Sequence, residues 1–237
     1  MPRILVCLFL WSCLNLSLSA QEFRFEALPE EIGLSLGTVN DIYQDQQGFI
    51  WLATWSGLYR YDGYEVKSYQ VNNQNPLGLK TNKITSIFQD SQGFIWVGTR
   101  RKGVYRYDPT LERFDSFDQE KEPNLENENV WCIKEDAQHQ IWIGTEGGLD
   151  LYDPSQNSFR HFTIGQTQQE NFIYDLLPLD NKLYIGTEGG LFVMATQTFA
   201  LQKISLIPEI PGAFPDRNNF ICESRVNFWD FSSPCSC

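Results

Sequence analysis

Three sets of residues recur in positions where chemistry is conceivable. Asp45, Asp90 and Asp136 stand about 45 residues apart, each followed a few residues later by an indole, at Trp51, Trp96 and Trp142. Carboxylates at one per repeat do not converge on a single ion. In Asp45-Gln-Gln-Gly48 and Asp90-Ser-Gln-Gly93 the acid is better used to accept turn N–H groups, with glycine supplying the positive φ. The third copy puts His139 where that glycine stands, and the fourth shortens the loop to Asp180-Asn-Lys182. The aromatic set Trp51, Trp96, Trp142 and Tyr184 offers stacking faces for sugars. It also sits in runs such as Phe49-Ile-Trp-Leu-Ala53, apolar at successive positions, and such runs are buried on both faces. Core packing is the stronger reading.

The third set varies on a constant frame, which is where a binding surface is expected. After each Thr come Trp55-Ser56, Arg100-Arg101-Lys102, Glu146-Gly147 and Glu188-Gly189. The triplet Arg100, Arg101 and Lys102 could meet uronate or sulfate groups through the arginine fork. A solvated loop pairing with nearby glutamates is the more economical account. Trp131 and Tyr174, at matching places near the start of a strand, are secondary ligand-binding candidates. No catalytic residue, cofactor site or metal site is expected. A glycosidase needs two carboxylates a few ångströms apart, and 30 acidic residues give no means of locating such a pair.

The elements that would position these residues follow from self-similarity. Four units carry an apolar run, a Gly-Thr or Ala-Thr, a glycine turn and a Tyr-Asp or equivalent strand; the aromatics Trp51, Trp96, Trp142 and Tyr184 are spaced 45, 46 and 42 apart. A period in the forties with about four short strands is the anatomy of a propeller blade. Helical arrays of similar period need long i, i+3, i+4 stripes, which are lacking. The expected fold is all-β, a β-propeller fragment of four or five four-stranded blades. The units fall at about 35–79, 80–124, 125–167 and 168–205, followed by an irregular tail or incomplete fifth blade over 206–237.

With 237 residues the chain has ample length for a core, and its formal charge of −12 argues against nucleic-acid partners. Residues 1–20 read as a secretory signal: Arg3, an apolar run from Ile4 to Leu14, and small residues before Gln21. No later stretch approaches the roughly 20 apolar residues of a membrane span. An exported, periplasmic location follows. Of six cysteines only Cys132 lies in the patterned body, so no disulfide framework is expected.

The pattern Asp-x-x-Gly-x-Ile-Trp-x-Gly-Thr-x-x-Gly-Gly-Leu with a following Tyr-Asp resembles the two-component regulator propeller repeat. Ile32-Gly-Leu-Ser35 and Arg60-Tyr-Asp-Gly-Tyr64 are similar to that family's opening blade. The resemblance covers about residues 24–205. It implies the exported sensor portion of a hybrid two-component histidine kinase or a diguanylate cyclase, with an oligosaccharide or other small extracellular ligand. Family rings usually have seven blades, whereas four clear units stand here, so a truncated or frame-shifted piece of a longer sensor is expected. Exposed terminal blades would then be covered by self-association or by another chain. The Asp-to-Gly spacing differs by one from the Asp-box of sialidases, and a propeller-based carbohydrate-active enzyme, lyase or sialidase-like, is the alternative reading.

Overall fold

The computed structural model describes residues 38–205, apart from 73, 76 and 120–123. The signal segment 1–20 and the tail 206–237 lie outside the described residues. Among the described residues, sixteen strands form four antiparallel sheets, each a meander of four consecutive strands. The first holds β1 (Val39–Gln44), β2 (Ile50–Thr54), β3 (Gly57–Tyr61) and β4 (Val66–Tyr69). The second holds β5 (Ile84–Gln89), β6 (Ile95–Thr99), β7 (Val104–Asp108) and β8 (Arg113–Phe117). The third holds β9 (Val130–Glu135), β10 (Ile141–Thr145), β11 (Leu149–Asp153) and β12 (Ser158–Phe162). The fourth holds β13 (Ile173–Leu179), β14 (Lys182–Thr187), β15 (Gly190–Ala195) and β16 (Leu201–Ile204). A single helical turn, α1 (Gln168–Asn171), precedes the fourth sheet and is held by a capping box between Thr167 and Glu170. The fold is the all-β propeller architecture expected of the repeat.

Each repeated residue has a structural duty. Asp45 Oδ1 accepts the Gln47 and Phe49 N–H groups at 2.9 Å each, and its Oδ2 accepts the Trp51 indole N–H at 2.7 Å. Asp90 does the same for Gln92, Phe94 and Trp96, and Asp136 for Gln138, Gln140 and Trp142. The acid thus closes the turn and satisfies an indole that is at most 1% exposed in all three sheets. These tryptophans are core, not sugar platforms. The turn glycines Gly48 and Gly93 adopt φ near +90°, and His139 takes φ +61° in the third copy. The fourth sheet has neither the acid nor the indole; its turn at Asp180 is a tighter hairpin, and the two losses go together.

Three apolar clusters fill the spaces between successive sheets. Trp51, Ala53 and Leu58 of the first sheet meet Ile84, Ile95 and Tyr107 of the second. Trp96 and Val104 meet Val130, Ile141 and Tyr152, and Trp142 and Leu149 meet Ile173, Leu183 and Phe192. Close approach of the sheets requires a small residue next to the end of each second strand, at Ala53, Gly98, Gly144 and Gly186. A Cβ on Gly98 would overlap Ser86 Oγ and lie 2.8 Å from Val130 Cγ1.

Successive sheets are also clasped by polar bonds. Every first strand carries a bulge near its start. In two sheets the bulged side chain crosses to the next sheet. Asn40 Nδ2 donates to the Ile84 carbonyl at 2.7 Å and Thr85 Oγ1 to the Val130 carbonyl at 2.6 Å. Asp41 Oδ2 accepts the Ile87 N–H of the second sheet at 2.8 Å. Burial holds the Asp41 carboxyl above its ordinary value despite the N–H groups that Ile87 and Ile42 donate to it.

Candidate functional site

The turns after the second strand of each sheet lie at one end of the strands, together with the segments that lead into the next first strand. Their register is uniform. The N–H groups of Trp55, Arg100, Glu146 and Glu188 donate to the carbonyls of Thr38, Lys83, Asn129 and Phe172 respectively. The bulge residues Asn40, Thr85, Trp131 and Tyr174 lie beside them. The backbone is therefore constant and the side chains differ, so each sheet contributes distinct chemistry to a shared end.

The candidates Trp55, Arg100, Trp131 and Tyr174 come together there. The Arg100 guanidinium lies 6.0 Å from the Trp55 ring and 5.9 Å from the Trp131 ring, spanning the gap between the first and third sheets. Lys83 Nζ stands 5.5 Å from the same Trp55 ring. Trp131 continues into Phe172 at 5.7 Å and Tyr174 at 6.1 Å, and these two rings are 4.7 Å apart. Glu146 Oε1 accepts the Trp131 indole N–H at 3.3 Å. Burial, with Glu188 and Glu146 nearby, pushes the Tyr174 hydroxyl above the usual tyrosine range. The result is a surface of alternating cations and rings on the first two sheets, passing into rings and carboxylates on the last two.

Arg101 and Lys102 occupy the exposed tip of the same turn, and no ring contact or ion pair joins them to the cluster among the described residues. Arg101 has φ +65°, and its N–H donates to Asn129 Oδ1 at 3.1 Å. The glutamate pairing expected of the basic triplet is absent among the described residues. Arg100 is placed by the rings on either side of it, and Glu146 serves the Trp131 indole instead. Lys83 and Phe172 were missed by sequence reasoning. Their only signal was that both immediately precede a first strand.

At the opposite end of the strands, Asp41, Phe88, Lys134 and Leu179, one from each first strand, border a shared cavity of about 740 Å³. A serine, a histidine and a glutamate also meet at that end. His139 Nδ1 faces Ser91 Oγ at 2.9 Å and Glu135 Oε1 at 3.0 Å, and Ser91 Oγ donates to Glu135 Oε1 at 2.6 Å. A nucleophile relay requires serine and acid on opposite ring nitrogens. Here both address Nδ1, so the trio is a clasp between the second and third sheets. No cluster of histidine, cysteine and acid suited to a metal ion occurs among the described residues. Cys132 is buried, and burial raises its thiol well above the ordinary value.

Comparison with known proteins places this geometry. The two-component regulator propeller family matches residues 33–56, 78–101 and 124–147. The fourth sheet, without the Asp–Trp pair, lies outside those matches. A stretch of 68 residues is 40% identical to Histidine kinase P4 of Formosa agariphila, covering 28% of this chain and 5% of that protein. The extracellular domain of the proposed hybrid two-component system BT3049 of B. thetaiotaomicron is 26% identical with a TM-score of 0.67. That match covers 76% of this chain and 26% of that domain. Virginiamycin B lyase of Staphylococcus aureus, 15% identical with a TM-score of 0.56 over 71% of this chain and 55% of its own, shares the fold. The chain thus spans a small part of the length of the sensor proteins it matches. No helix among the described residues is long and apolar enough to cross a membrane. The first three sheets, each with an Asp–Trp turn, thus carry stretches that match the two-component regulator propeller.

Proposed function

We propose that this chain is the exported, periplasmic input portion of a two-component-type sensor, and that it takes a small extracellular ligand, an oligosaccharide, at the Trp55–Arg100–Trp131–Tyr174 surface. The observation that carries the reading is the convergence of four variable positions on an otherwise uniform backbone. Half-buried rings provide stacking faces and Arg100 provides a donor fork, the combination that recognises polyhydroxylated or acidic sugars. Binding would bias a conformational or dimer equilibrium of an output module, here of histidine kinase or diguanylate cyclase type.

We propose self-association as part of the same role. Val39 and Ile42 of β1 are 36% and 63% exposed, whereas their counterparts Ile84 and Ile87 are buried against the first sheet. A second copy of the chain would cover this face. Analytical ultracentrifugation is expected to show concentration-dependent dimers that Ile42→Glu abolishes. A strict monomer at all concentrations would count against it.

The direct test is a thermal-shift screen of the chain against soluble pectic, xylan and glycosaminoglycan oligosaccharides. At least one is expected to raise the melting temperature of the wild type, and Trp131→Ala and Arg100→Gln each to remove that rise. No response from the wild type, or a response that both variants retain, would overturn the assignment. Turnover of the same oligosaccharides by the purified chain would instead favour the lyase or sialidase-like alternative.

A further inference from the structure

Because the four sheets repeat one design, equivalent clefts can be compared within a single chain. At the end of the strands away from Arg100, a cleft opens between the first and second sheets, with Asp45, Trp51, Arg60, Gln92 and Asp108 in its wall and a volume of about 310 Å³. Its counterpart between the second and third sheets is bounded by the matching Asp90, Trp96 and Arg106, yet measures only about 10 Å³. Three replacements separate the two.

In the closed cleft, Arg106 pairs with Asp115, its cross-strand neighbour, at 3.0 Å. Glu135 and His139 then bond to Ser91 across the opening. In the open cleft the residue opposite Arg60 is Lys67, which turns outward to Glu112 at 2.8 Å. Gln89 and Gly93 stand where Glu135 and His139 would be; Gln89 Oε1 still accepts the Gln46 N–H at 2.8 Å, but Gly93 has no side chain to close the opening as His139 does. The Arg60 guanidinium is held 4.4 Å over the Phe49 ring and 5.8 Å from Trp51. Among the described residues it makes no hydrogen bond and no ion pair. The same arginine fork is therefore neutralised in one cleft and left with its donors unspent in the other.

The neighbouring acids are engaged elsewhere: Asp62 Oδ1 accepts the Tyr64 and Glu65 N–H groups, and Glu112 pairs with Lys67. Asp45 spends both oxygens on Gln47, Phe49 and Trp51, and Asp108 Oδ1 accepts the N–H groups of Thr110 and Leu111. We infer that this cleft binds a small polar molecule through an oxyanion, a carboxylate or sulfate, seated on Arg60 where Asp115 sits on Arg106. A guanidinium fixed on an aromatic face presents its fork in one orientation, which suits bidentate oxyanion recognition. The remaining glutamine and Asp108 groups supply donors and acceptors for hydroxyls. The cleft lies at the end of β2 opposite Trp55, so it is distinct from the aromatic surface and does not depend on it.

The test is isothermal titration of the chain at low ionic strength with D-glucuronate and N-acetylglucosamine 6-sulfate, and with glucose and N-acetylglucosamine as neutral partners. At least one anionic probe is expected to bind and its neutral partner not to. Arg60→Gln should weaken binding at least tenfold. Lys67→Asp, which installs the second sheet's own pair, should do the same. Arg100→Gln should leave it unchanged. Failure of both anionic probes, equal binding of neutral and anionic sugars, or full binding by Lys67→Asp would each overturn the proposal.

Discussion

Replacing Asp90 by alanine removes three hydrogen bonds at once, from Gln92, Phe94 and the Trp96 indole at 3.0, 2.9 and 2.7 Å. The donors differ in what they lose. Gln92 is exposed and its N–H rehydrates, Phe94 is half-buried, and the Trp96 indole is 1% exposed with no route to water. A buried donor left unpaired costs about 1–3 kcal/mol, and the two turn amides add roughly 1 kcal/mol together. Part of this is offset, because burial holds the Asp90 carboxyl above its ordinary value, so deleting the charge relieves some desolvation. The expected net loss is about 2–3 kcal/mol, corresponding to roughly 5–10 °C in melting temperature for a chain of this size. Trp96→Phe should cost a similar amount by stranding the Asp90 carboxylate. The double variant should cost at least about 1 kcal/mol less than the sum, since the two residues share one bond. Equilibrium urea unfolding of the four proteins measures all of these quantities. A loss below about 0.5 kcal/mol for Asp90→Ala, or strict additivity, would refute the view that the repeated acid exists to close the turn and hold the indole.

Other outcomes follow from the same geometry. Gly98→Ala should cost about 1–3 kcal/mol by overpacking Ser86 and Val130, although the matching position in the first sheet is Ala53 and tolerates its methyl; unchanged urea stability would contradict the packing argument. Glu170 is held down to about 2 by the Lys203 ammonium and the Gln166 and Thr167 N–H groups. Its stabilisation is therefore present above the unfolded value of 4.5 and lost as pH falls through about 2, so the melting difference between wild type and Glu170→Gln should vanish over that span rather than stay constant. His161 is raised above 6.5, first by its hydrogen bond to the buried Asp150. That contribution is full below 6.5 and fades as pH rises through the folded value. His161→Gln should flatten the fall in stability above about pH 6.5, and an unaltered slope would count against the pair.

Much of the fold could be read from the residues because each repeated one performs a separate task. Asp45 closes a turn, Gly48 reaches the positive φ that the turn needs, Trp51 fills the space beneath the next sheet, and Thr54 Oγ1 donates to the Gly57 carbonyl at 2.8 Å. Such duties recur with the period, so they survive in a linear reading. The surface around Arg100 was partly readable for the same reason: Trp55 and Arg100 occupy one repeat position, and Trp131 and Tyr174 another. Lys83 and Phe172 escaped because their equivalent places hold Thr38 and Asn129 in the other two sheets, so no recurring residue type marks the position. The expectation that Arg100 pairs with glutamate failed for a physical reason, since two indoles flank the guanidinium and Glu146 is taken by Trp131. The inter-sheet cleft at Arg60 was also beyond the linear reading, because the contrast between Lys67 and Asp115 emerges only when cross-strand partners are known.

Hydrogen exchange read by mass spectrometry, on the chain with and without whichever oligosaccharide raises its melting temperature, tests the sensing account most directly. In the Arg60→Gln background, which removes the opposite cleft's contribution, protection is expected in peptides holding Trp55, Arg100, Trp131 and Tyr174, with peptides at the opposite end of the strands unchanged. Protection confined to that opposite end, or spread evenly over all four sheets, would contradict it.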